Sequence, residues 1–242
     1  MVISPNLSRI FRTRVSVHYT WIIAIILITA AVVTQFSTSY PLWQRITLGV
    51  VASLIYFLAL IVRQLTLNLI AISKGIKVKN YTLFVFGEVP QIDKETTSPA
   101  LEILLAMSGL LTNLILAGIF YAVYAILAST GSIISHILVQ WLAFIYLMLA
   151  LFHLIPAFPL DGGRALRALL WKLSNNYERA TKITSWIGWG AGLALTAGGV
   201  AILVTSQQWF AGLLLIFPGL VLQGAATRSR RQLKMGTSST DS

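Results

Sequence analysis

Phe152-His153-Leu154-Ile155-Pro156-Ala157-Phe158-Pro159-Leu160-Asp161-Gly162-Gly163-Arg164 breaks a long apolar segment with two prolines, a carboxylate, two glycines and a guanidinium. A carboxylate at membrane depth is costly unless a cation or metal meets it, so Asp161 reads as a functional position. Pro156 and Pro159 end the preceding helix and hold the chain extended. Gly162 and Gly163 are expected to let the chain turn sharply and approach a neighbouring helix. What faces Asp161 is therefore the central question.

The sequence around this segment sets its surroundings. Hydrophobic residues make up 57% of the chain and charged residues 10%, far from the usage of a soluble domain. Apolar stretches long enough to cross a core of ~30 Å lie at about 19–36, 46–72, 101–127, 136–155, 183–204 and 209–222. The expected architecture is an all-α polytopic membrane protein with six transmembrane helices, its Pro/Gly-broken segment following the fourth. A single membrane domain is expected over 1–230, with a disordered cytoplasmic tail at 231–242.

Basic residues orient this arrangement, because short cytoplasmic loops are enriched in Lys and Arg. Arg9, Arg12 and Arg14 precede the first span, Lys74, Lys77, Lys79 and Lys94 follow the second, Arg164, Arg167, Lys172, Arg179 and Lys182 follow the fourth, and Arg228, Arg230, Arg231 and Lys234 follow the sixth. The opposite loops hold only Arg45. The expectation is a multi-pass protein of the cell membrane with both termini cytoplasmic and a first span that is retained and not cleaved as a signal. The net charge of +11 flanks the spans and forms no single patch, which argues against nucleic acid as a partner and for the lipid bilayer. The scattered tryptophans fit interface anchoring. With no cysteine, disulfides and thiolate metal ligands are excluded.

Between the second and third spans, residues 77–87 are rich in β-branched and aromatic residues and end at Gly87. They predict a strand, with 88–92 returning as the second strand of a small β-hairpin. Such a hairpin is marginal alone. It either packs against the membrane domain or offers an edge to an extended peptide.

Ile72-Ser73-Lys74-Gly75-Ile76, Thr82 to Gly87, Ser108-Gly109-Leu110-Leu111-Thr112-Asn113 and Leu154 to Arg167 stand in an order and spacing that resembles the site-2 protease family of intramembrane zinc metalloproteases. His18-Tyr19-Thr20-Trp21 is similar to that family's entry into its first span. The resemblance covers roughly 9–230, and Pro159-Leu160-Asp161-Gly162-Gly163-Arg164 is its most specific part. It implies a bundle in which two histidines of an H-E-x-x-H helix and a distant aspartate hold Zn²⁺ while the glutamate acts as general base. It also implies that Asn113 and position 153 help bind a substrate backbone.

The chain departs from the family where that chemistry resides. Counting back from Gly75 places the motif on Arg63-Gln64-Leu65-Thr66-Leu67. Arg63 cannot ligate a metal, Leu67 has no donor, and Gln64 cannot take a proton from water at neutral pH. The only histidines are His18, His136 and His153, so no second H-E-x-x-H exists. A relocated metal site built from His18, His153 and Asp161 is one alternative. In the other, His18 caps or snorkels and His153 bonds a carbonyl freed near Pro156.

Arg63 is the only basic residue inside a predicted span. Its guanidinium is expected near the vacated zinc position, paired with Asp161 as a structural ion pair. The competing expectation is that it snorkels or meets a carbonyl. The resulting functional expectation is a site-2 protease homologue with a degenerate zinc site and no cofactor. It would be a pseudoprotease that holds transmembrane or juxtamembrane segments of partner proteins in a cleft lined by Asn113, His153, Pro156, Asp161, Gly162 and Gly163. The alternatives are an active intramembrane protease with an atypical metal site and, less supported because no chain of ionisable groups lines the spans, a channel or transporter.

Overall fold

A computed structural model of the protein describes residues 2–3, 14–18, 20–35, 40–75, 80–83, 98–127, 133–206 and 208–238. Among them seven helices form, α1 Thr20–Gln35, α2 Leu42–Ser73, α3 Pro99–Leu127, α4 Ile133–Leu154, α5 Asp161–Ser174, α6 Tyr177–Ser206 and α7 Trp209–Ser238. Their ends follow local chemistry. α2 stops at Lys74 and Gly75, and Gly75 takes φ +79°, the left-handed conformation that closes helices. Pro99 opens α3, where its missing N–H costs nothing, and the Ser98 hydroxyl accepts from the Leu101 N–H at 3.3 Å. α5 ends on Asn175 at φ 50°, and the Asn176 side chain caps α6 by accepting from the Arg179 N–H at 2.8 Å.

Five helical segments are long and apolar enough to cross a membrane: Leu42–Ser73, Pro99–Leu127, His136–Leu154, Tyr177–Ser206 and Ala211–Leu233. That is a count among the described residues, against six spans expected from the sequence. The first, expected at 19–36, is described as the apolar helix α1 over Thr20–Gln35, with 19 and 36 outside the described residues. Only part of the expected β-hairpin falls on described residues. Asn80–Leu83 is a strand, β3, but it pairs in parallel with β2, Arg14–His18, in the register Arg14↔Asn80 to Val17↔Leu83. β2 also pairs antiparallel with β1, Val2–Ile3. Residues 88–92, the expected return strand, lie outside the described residues. The expected disordered tail is helical as far as Ser238, the end of α7.

The chain divides into two compact units, Met1–Thr96 with Ser108–Leu151, and Thr97–Met107 with Phe152–Ser242. In the first, Val32 of α1 and Ala52 of α2 are buried with Ile28, Leu48, Ile137, Leu138 and Trp141 around them. A Cβ on Gly49 would lie 2.8 Å from the Thr29 carbonyl oxygen, so only glycine lets the α1 backbone approach α2 this closely. In the second, α6 and α7 run side by side. The Gln223 amide donates to the Thr196 hydroxyl at 3.0 Å, and Ala157, Leu160 and Leu222 form a core with Phe152, Ile155, Ala191 and Leu195.

Candidate functional site

α2 presents its buried residues on one stripe, Ala52, Ser53, Tyr56, Phe57, Ala59, Leu60, Arg63, Gln64, Leu67 and Ala71, the i, i+3, i+4, i+7 spacing of a single helical face. Arg63, Gln64 and Leu67, which the count back from Gly75 assigns to the motif, are therefore buried together on this face. Arg63 is 3% exposed. Two turns earlier on the same face, Tyr56 packs against Tyr146 of α4 with ring centroids 5.6 Å apart. The Tyr146 hydroxyl donates to the Tyr56 carbonyl at 2.6 Å, and Phe120 of α3 stacks on Tyr146. The Gln64 amide donates to the Asn68 carboxamide oxygen at 3.2 Å.

Asn113 of α3 belongs to this same unit and is fully buried. Neither its Nδ2 nor its Oδ1 has a hydrogen-bond partner among the described residues. Buried polar atoms are almost always paired, so this carboxamide presents a donor and an acceptor ready for another group.

Asp161, His153, Pro156, Gly162 and Gly163 belong to the second unit. Asp161 is the first residue of α5 and 3% exposed, and its carboxylate sits where the helix dipole favours negative charge. His153, in the last turn of α4, is 2% exposed, while Pro156 is exposed. The chain turns over Ile155–Leu160, before the two glycines, which corrects their expected role as the turn itself. They are helical, and what they permit is close approach. A Cβ on Gly162 would strike the Leu154 carbonyl oxygen and lie 2.6 Å from that of Ile155, and one on Gly163 would strike the backbone of Ala157 and Phe158.

α5 is inverted relative to an ordinary amphipathic helix. It buries Asp161, Arg164 and Arg167 with Gly163 and Ala168, while Leu169 and Leu173 are 48% and 75% exposed. Leucines outward and charges inward suit a helix lying in or beside lipid. The Arg167 guanidinium donates to both carboxylate oxygens of Glu102, from Nε to Oε2 at 3.1 Å and from an η nitrogen to Oε1 at 2.6 Å. It also lies 4.8 Å from the Phe158 ring centroid and 5.2 Å from that of Tyr177. This two-pronged pair was not singled out from sequence. Its available signal was Glu102, a lone acid inside the predicted span 101–127.

These residues do not fit zinc. The positions 63, 64 and 67 supply a guanidinium, an amide and a hydrocarbon, and among the described residues no three of His, Cys, Asp and Glu cluster as a metal would need. The relocated set of His18, His153 and Asp161 lies partly beyond description, because only the backbone of His18 is defined, in β2.

Comparison with known proteins now places this arrangement. The family model described as "Peptidase family M50" matches residues 9–196. Rip3 of Mycobacterium tuberculosis, provisionally named a zinc metalloprotease, is 31% identical over 232 residues, covering 94% of this chain and 58% of its own. A Synechocystis protein of the same provisional name is 33% identical over 162 residues, 64% of this chain and 41% of its own. A zinc metalloprotease of Methanocaldococcus jannaschii is 29% identical over 76% of this chain and 50% of its own. The chain thus spans about half the length of the curated relatives it matches. Among solved structures, the site-2 protease from Methanocaldococcus jannaschii superposes with a TM-score of 0.69 at 23% identity, covering 95% of each chain. A match over most of the sequence and a shared fold along nearly its whole length establish that this multi-pass membrane protein belongs to peptidase family M50, the site-2 protease family.

Proposed function

We propose that this protein is a site-2 protease homologue without proteolytic activity, retaining the fold to bind a transmembrane or extended juxtamembrane segment of a partner protein. The observation that supports the proposal is the buried face of α2 carrying Arg63, Gln64 and Leu67, which the count back from Gly75 assigns to two metal ligands and a general base. None of the three performs that chemistry. Pairing of Arg63 with Asp161 is part of the proposal and rests on the opposite charge and the burial of each residue. The binding half is supported by Asn113, whose unpartnered amide N–H and carbonyl oxygen complement the donor and acceptor of an extended backbone.

The alternative is an active intramembrane protease with an atypical metal site. It draws on the buried His153 and Asp161 and on the retained Pro159-Leu160-Asp161-Gly162-Gly163 run. Co-expression with a panel of single-span membrane proteins, each carrying a photo-crosslinker, separates the two. Binding without cleavage predicts a crosslinked uncut partner whose yield falls about tenfold in Asn113→Ala, the loss of one or two buried hydrogen bonds. Cleavage products that disappear in Asp161→Ala would establish the protease instead.

A further inference from the structure

We infer that the end of the α6–α7 pair carrying Arg230 is a binding site for the headgroup of an anionic phospholipid. Arg230 of α7 lies over the indole of Trp186 of α6, 4.0 Å from the ring centroid, and its other contact is the Thr227 hydroxyl at 3.4 Å. Trp186 is 52% exposed and meets Trp189 edge-on at 5.9 Å. An indole at the boundary between acyl chains and headgroups is a preferred location, and stacking on it holds the guanidinium, which is half-buried, at that depth.

The surroundings are basic. Arg231 follows on α7, and Lys182 and Arg179 lie one and two turns before Trp186 on α6, all exposed. Close approaches at Gly192–Gly219 and Gly199–Gly212 show the two helices to be antiparallel, so these four cations gather at one end. The first turn of α6 also carries one acid, Glu178, which leaves the cluster with a net positive charge. The apolar part of α6 begins near Ile183 and that of α7 ends near Ala226, which sets the cluster at headgroup level. A phosphodiester carrying one net negative charge on two acyl chains satisfies both the cations and the exposed apolar flanks of the pair, and juxtamembrane cations favour such lipids.

The full chain, purified in a mild maltoside detergent, is titrated with phosphatidylglycerol, phosphatidylcholine or inorganic phosphate. Bound lipid is read by native mass spectrometry and by indole fluorescence. Phosphatidylglycerol is expected to be retained about tenfold better than phosphatidylcholine, and about 0.5 M salt to erase most of that preference. Arg230→Ala combined with Arg231→Ala should reduce it about fivefold and Arg230→Lys only partly, because the ammonium keeps the charge and loses the planar fork. Lys74→Gln, at the exposed end of α2, should leave it unchanged. Equal retention of the two lipids by the unaltered protein, displacement by inorganic phosphate at matched concentration, or an unchanged preference in the double variant would each overturn the site. The lipid and salt arms use the unaltered chain and decide the matter even if the variants do not fold.

Discussion

Arg63 has only 3% of its surface exposed on a face of α2 shared with Tyr56, Leu60 and Leu67, and a charge held there requires an anion. If that anion is Asp161, Asp161→Ala should destabilise the protein by ~3 to 5 kcal/mol, whereas Asp161→Leu with Arg63→Met should recover most of the loss. Unfolding in mixed micelles measures both, and additive losses in the double variant would dissociate the two charges. A second residue-scale prediction concerns Gly188, where a Cβ would strike the Phe158 carbonyl oxygen, in contrast to Gly190, which faces open space. Gly188→Ala should cost about 1 to 3 kcal/mol and Gly190→Ala should be near neutral or slightly stabilising through helix propensity. The weight of Asp161, Gly162 and Gly163 was legible in the sequence because charge and glycine are rare enough in an apolar chain to mark a position. The partner of Arg167 was not. Glu102 lies 65 residues away, and Arg167 read as one more topology charge.

At the scale of elements, periodicity identified the long helices because a membrane core imposes their length and hydrophobicity. It matched α1 over its described residues, Thr20–Gln35, and it missed α5, whose polar face is buried and whose leucines are exposed. β3 was legible as a strand from its composition, while its pairing with β2 was not, since parallel partners so far apart in sequence leave no local signal. The Glu102–Arg167 pair ties the start of α3 to α5. Glu102→Gln or Arg167→Met alone should therefore lower stability by ~3 to 5 kcal/mol, and Glu102→Leu with Arg167→Met together should be much milder. Protease protection of the α5 segment follows the same order if the pair holds that helix in place. Equal protection in all variants would show that packing of Phe158 and Tyr177 suffices without the charges.

At the scale of the whole molecule, hydropathy made the membrane class evident, and the run around Asp161 made the family recognisable. The division of the described chain into two compact units was less accessible, because contacts between distant segments leave no local signal. Reporters fused after Lys234 and inserted near Ser132 should fall on opposite sides of the membrane, the first cytoplasmic, with the basic residues setting the sense. Both reporters on one side would contradict the order of spans. The central claim, that a member of peptidase family M50 has lost its zinc site, is tested most directly by the metal content of the purified chain after expression in zinc-replete cells. The account predicts less than about 0.1 zinc per chain, rising toward about one when Arg63→His, Gln64→Glu and Leu67→His are introduced together. About one tightly held zinc in the unaltered protein, lost on Asp161→Ala, would contradict it.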